Sequence, residues 1–99
     1  MATNLEHELL DVTSLKHPSK YMVFILNDDY TSMEFVVEIL MSIFHKTSQE
    51  AEAIMIEVHK EEKGLCGIYS HEIAETKVMQ VTKKSKNNGF PLKATMEEE

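Results

Sequence analysis

The chain contains no arginine: all ten of its basic side chains are lysines, set against 17 acidic ones, for a formal net charge of −7. That balance works against a phosphate-binding surface, because attraction to nucleic acid or to anionic lipid needs a basic face. The missing guanidinium also removes the planar fork best suited to bidentate recognition of carboxylate or phosphate. A cationic ligand suits this chain better. Cys66 is the only cysteine, which excludes an internal disulfide and the usual tetrahedral zinc frameworks and fits a reducing compartment. No apolar run approaches the roughly 18 to 20 residues of a membrane span, and the acidic start of the chain lacks the pattern of a signal peptide. The expectation is a cytoplasmic protein with no nucleic-acid and no membrane partner. There is no HExxH, no EF-hand loop and no close histidine pair on a helical face, so no motif specifies a metal site. Nothing ties Cys66 to a histidine, and a buried, inert thiol is expected.

What is present is the material for one domain. Of 99 residues, 42% are hydrophobic and 27% charged, enough to bury a single core and outside the disordered class. Residues 1–19 mix Glu6, Glu8 and Asp11 with Leu5, Leu9 and Leu10 and close on Pro18, which discourages helix. They read as a flexible N-terminal arm, and 97–99 as a solvated acidic tail, leaving 20–96 as the core domain. Tyr21 to Leu26 is a short apolar run bounded by polar residues, a buried strand. Thr31 to Glu34 matches a capping box, with Thr31 as N-cap. The helix it opens carries Phe35, Val36, Ile39, Leu40, Ile43 and Phe44 on one face. A second helix is expected from Ser48, with Ala51, Ile54, Met55 and Val58 as its stripe. Leu65 to Tyr69 reads as a second strand. A third helix follows from about Ser70, its inner side marked by Ile73, Ala74, Lys77, Val78 and Val81. Lys83 to Gly89 gives it lysines for the negative helix end and a stop, and Phe90 to Met96 can form the last strand. The order βααβαβ predicts an α+β domain with a three-stranded antiparallel sheet and three helices packed on one face.

Asn27, Asp28 and Asp29 stand between the first strand and the first helix with no lysine close in sequence. Asx side chains favour turns, so an exposed turn explains them. They also offer oxygen acceptors, together with Thr31, just outside a helix bearing Met33 and Val36. His59, one turn beyond Met55 and beside Val58, can join them from the second helix. Acceptors above an apolar hollow suit an amphipathic cation such as the α-amino group of a peptide. Methionine side chains adapt to several shapes in such a hollow, though on spacing alone ordinary core filling is the simpler account of each. A small metal-dependent enzyme using Asp28, Asp29 and His59, or a plain interaction domain without a pocket, are the alternatives.

The stretches "LNDDYTSMEFVVEIL" (26–40), "MIEVH" (55–59), "CGIYSHEIAETKV" (66–78) and "PL" (91–92) closely resemble ClpS, the adaptor family of the Clp ATP-dependent protease. The match runs in order over most of 21–96. The resemblance implies a protein that is not an enzyme and needs no cofactor. It implies a monomeric adaptor that binds N-degrons, proteins beginning with Leu, Phe, Tyr or Trp, and hands them to a Clp unfoldase through the N-terminal domain of a ClpA-like partner. Asn27, Asp28, Asp29, Thr31 and His59 would then surround the α-amino group and first peptide unit. Met33, Val36, Met55, Val58 and Leu92 would line the side-chain pocket, and Glu72 and Lys77 would dock the unfoldase. The N-terminal arm would take part in delivery. Ser32 stands where many members have proline, Glu62 where glycine is common, and Lys93 and Ala94 where many are apolar or cysteine.

Overall fold

The computed structural model describes residues 19–99; the expected arm, apart from Ser19, lies outside them. Strand β1 (Lys20–Leu26) is followed by helices α1 (Met33–Ser42) and α2 (Ser48–Glu61), strand β2 (Lys63–Ser70), helix α3 (His71–Asn87) and strand β3 (Ala94–Glu98). The first strand is central in the sheet order β2-β1-β3, and both its pairings are antiparallel. This is the expected α+β architecture.

Side chains alternate across a strand, and β1 uses one face for the core: Val23 and Ile25 are fully buried against the helices. Ile39 and Leu40 of α1, Ala51 and Val58 of α2, and Ala74 and Val81 of α3 complete that core. Burying each large aliphatic side chain contributes about 1.5–3 kcal/mol, so these few contacts set where α1 and α2 sit. Between Val23 and Phe24 the β1–β2 register slips, and Cys66 bulges inward without a partner. Burial pushes its thiol up to about 12.

Several boundaries differ from the sequence expectation. The N-cap of α1 is Ser32, whose hydroxyl accepts from Phe35 N–H at 3.1 Å. Ser32 has φ −68°, a value proline also adopts, but its hydroxyl satisfies a helix donor that proline could not. The capping box belongs instead to α2, where Thr47 and Glu50 exchange hydrogen bonds of 3.1 and 2.9 Å. Its α2 exit is Glu62, in a left-handed conformation with φ 69°, the geometry for which glycine is the low-cost residue. Ile73 is half exposed instead of facing inward, because α3 packs through the small side chains of Ala74 and Ser85 with Val81. The last strand starts late: Phe90 packs on Phe35 with ring centroids 4.6 Å apart, and Leu92 is buried. It also continues through the acidic end. Glu97 and Glu98 pair with β1 while their side chains stay exposed.

Candidate functional site

The site forms where β1 stops. Leu26 N–H donates to Lys93 O at 3.0 Å and Asn27 N–H to Glu62 O at 2.8 Å, so the end of β1 is fixed between the start of β3 and the exit of α2. Asp28 then folds the chain over itself. Its Oδ1 accepts from Tyr30 N–H at 2.8 Å and Thr31 N–H at 2.7 Å, and its Oδ2 accepts from the Thr31 hydroxyl at 2.7 Å. Partial burial alone would raise this carboxyl, but those three hydrogen bonds together outweigh it and hold Asp28 below its ordinary value. Asp29 receives no hydrogen bond among the described residues and stays exposed. Adjacent aspartates therefore divide the work, one shaping the turn and the other offering a charge.

The turn delivers α1 so that Met33 and Val36 face Met55, Val58 and His59 of α2. Between the helices lies a cavity of about 320 Å³ with walls from Met33, Val36, Met55 and Val58. Asn27, Thr31 and His59 form its polar side. Seven of the ten residues expected to bind an amine and an attached side chain thus meet at one cavity. Asp28 and Asp29 line a neighbouring hollow of about 360 Å³ with Tyr30, Pro91 and Lys93, and Asn27 is common to both. Leu92 lines neither, being packed in the core behind.

Sequence reasoning missed Ile56 and Lys60 as further residues on the cavity wall. Lys60 follows His59 directly, and the helical stripe gave no reason to place Ile56 beside Met55. Glu72 lies exposed in the first turn of α3. Lys77 is half-buried: its ammonium donates to Ile43 O at 2.6 Å and stands 5.7 Å from the Tyr69 ring centre. That contact places a cation at the negative C-terminal end of α1. Beside it a larger hollow of about 440 Å³ runs between the end of α1 and α3. There Lys84 is already engaged, with Ser42 Oγ at 3.0 Å and Glu38 at 3.4 Å. Size therefore does not single out that hollow. The smaller cavity combines apolar walls with the acceptors of Asn27, Thr31 and His59. No helix among the described residues is long and apolar enough to cross a membrane.

Comparison with known proteins points to one family. Residues 16–95 match the family model of the ATP-dependent Clp protease adaptor protein ClpS. The ATP-dependent Clp protease adapter protein ClpS of Wolinella succinogenes is 48% identical over 96 residues, 97% of this chain and 94% of that protein. Its counterpart in Neisseria meningitidis is 49% identical over 98 residues, 96% of this chain and 95% of that protein. Among solved structures, Agrobacterium tumefaciens ClpS2 bound to L-phenylalaninamide superposes with a TM-score of 0.81 at 36% identity, covering 84% of this chain and all of that one. With the family model spanning residues 16–95, all of the folded core but the end of β3, and relatives matching nearly end to end, the chain belongs to the ClpS family of Clp protease adaptors.

Proposed function

We propose that this protein binds the free N-terminus of proteins that begin with Leu, Phe, Tyr or Trp and delivers them to the N-terminal domain of a ClpA-like AAA+ unfoldase for degradation. It does so in the cytoplasm, as a monomer, and catalyses no reaction itself. The observation that carries this reading is the 320 Å³ cavity, whose apolar walls adjoin the acceptors of Asn27, Thr31 and His59. A free terminus offers three donors and a positive charge, whereas an internal residue offers one neutral N–H. L-phenylalaninamide, the ligand of the Agrobacterium protein, joins a free α-amino group to a benzyl side chain, the two groups this cavity suits.

The roles follow from chemistry. Asn27 and His59 accept from the ammonium, with the exposed Asp29 carboxylate supplying the counter-charge. Thr31 meets the first peptide unit, and Asp28 keeps the acceptors in position. The side chain enters between Met33, Val36, Met55 and Val58, with Leu92 behind. Met33, 59% exposed at the mouth, disfavours residues branched at Cβ. Glu72, with Lys77, contributes the surface for the unfoldase.

Fluorescence anisotropy of labelled peptides differing only in their first residue tests the reading. Leu and Phe peptides are expected to bind, and Ile and acetyl-Leu peptides to bind far more weakly. Acetylation leaves acceptors unpaired, at about 1–3 kcal/mol per group. Equal binding of all four, or of none, would overturn it.

A further inference from the structure

The helices occupy one side of the sheet, and the other side is unusually apolar. Alternation places Met22, Phe24 and Leu26 of β1 opposite to Val23 and Ile25, and the register sets Ile68 beside Met22 and Leu65 beside Phe24. Four of these five side chains are half-buried, and Ile68 is 42% exposed. An antiparallel sheet with one solvated face is expected to alternate apolar inside with polar outside. Here the outer row of the central strand is Met, Phe, Leu. Among the described residues its cover is a single ion pair: Lys63 Nζ reaches Glu97 Oε2 at 2.8 Å and stands 4.3 Å from the Phe24 ring centre. Both side chains are nearly half exposed, and such a pair contributes only about 0–1 kcal/mol. It is easily displaced.

We infer that residues 5–15 of this chain dock on this outer face, with Leu5, Leu9, Leu10 and Leu15 against Met22, Phe24, Leu65 and Ile68. Three observations support that occupant. The segment joins the sheet at Lys20, the first residue of the central strand, two positions from Met22 and its neighbour Ile68. Its reach is sufficient, since the seven-residue β1 is about 23 Å long at 3.3 Å per residue, and 18 residues precede Ser19. Its charge is complementary: the segment carries Glu6, Glu8 and Asp11, and the face carries Lys20 and Lys63, for the second of which the segment would compete with Glu97. The inference does not depend on the peptide-binding cavity, which lies on the opposite side of the sheet.

Cys66 is fully buried, so a thiol introduced by Ala2→Cys in the full chain can be labelled selectively with a nitroxide. Paramagnetic broadening of the amide spectrum then reports where the segment lies. Expected is a loss of more than half the intensity at Met22, Phe24, Leu65 and Ile68, with Glu34 and Glu52 on the helices unaffected. Leu5→Asp combined with Leu9→Asp should abolish it. Uniform broadening, none, or the same pattern in the double variant would overturn the inference. So would broadening that vanishes on dilution with unlabelled protein, which would identify a second copy as the occupant.

Discussion

Asp28 and Thr31 are joined twice: both the backbone N–H and the hydroxyl of Thr31 donate to the Asp28 carboxylate, each at 2.7 Å. The neighbouring Asp29 has no such bond among the described residues. Substituting the two aspartates should therefore separate stability from binding. Asp28→Ala removes a fully used acceptor at a helix entry, a loss of about 1–2 kcal/mol, and should lower Tm by roughly 5–15 °C. Asp29→Ala should leave Tm nearly unchanged while weakening a Leu-initiated peptide by up to about 5-fold, the worth of an exposed counter-charge. Melting curves and anisotropy on both variants check this, and equal melting losses would contradict the division.

The same carboxylate sets an acid limit. Because its folded-state pKa lies below its ordinary 3.8, Asp28 contributes stability that is fully present above that value. The contribution is lost as pH falls from there through the folded value. Asp28→Asn should be less stable than the parent at pH 6, and the gap should narrow as both are taken to pH 3. Thermal melts across that interval measure it, and a gap independent of pH would count against the mechanism.

Glu62 occupies a left-handed position at φ 69°, which costs a residue with a Cβ about 1–2 kcal/mol. Glu62→Gly should recover most of it, less the entropy glycine adds to the unfolded chain. A net gain of about 0.5–1 kcal/mol corresponds to a rise of roughly 2–8 °C in Tm. Calorimetry decides it, with Glu62→Ala as the comparison that should bring no such rise.

Gly64 ties the sheet to the cavity. A methyl group there would lie 2.6 Å from Val58 Cγ2 and 3.1 Å from Ile54 O, too close without movement of α2. Gly64→Ala should cost about 1–3 kcal/mol by overpacking and, since Val58 lines the cavity, should weaken peptide binding as well. Unchanged affinity would mean that α2 yields elsewhere.

How far the sequence disclosed all this depends on which forces act locally. The apolar stripe from Phe35 to Phe44 follows from helical spacing and is buried throughout, although α1 itself ends at Ser42 and leaves Ile43 and Phe44 just beyond it. The convergence of Met33, Val36, Met55, Val58 and His59 on one hollow could be anticipated from two helices and a turn, helped by the family resemblance. The cap of α1 could not. Thr31 and Ser32 both suit an N-cap, and the choice falls to Ser32 because Asp28 recruits Thr31. Leu92 sits one layer behind the cavity, since a strand's depth depends on the packing of Phe90 against Phe35. Lys77 has its ammonium on the Ile43 carbonyl, an arrangement between residues 34 positions apart that no local pattern encodes.

That last contact gives α1 a fixed point at each end. Its ten residues make a rod of about 15 Å. Met33 and Val36 are at the end that opens onto the cavity, and the Ile43 carbonyl at the other is gripped by a side chain from α3. A force applied to Lys77 therefore bears on the tail of the rod, and a side chain wedged beside Met33 bears on its head. The cavity mouth and the Lys77 contact thus sit at opposite ends of one ten-residue helix, about 15 Å apart.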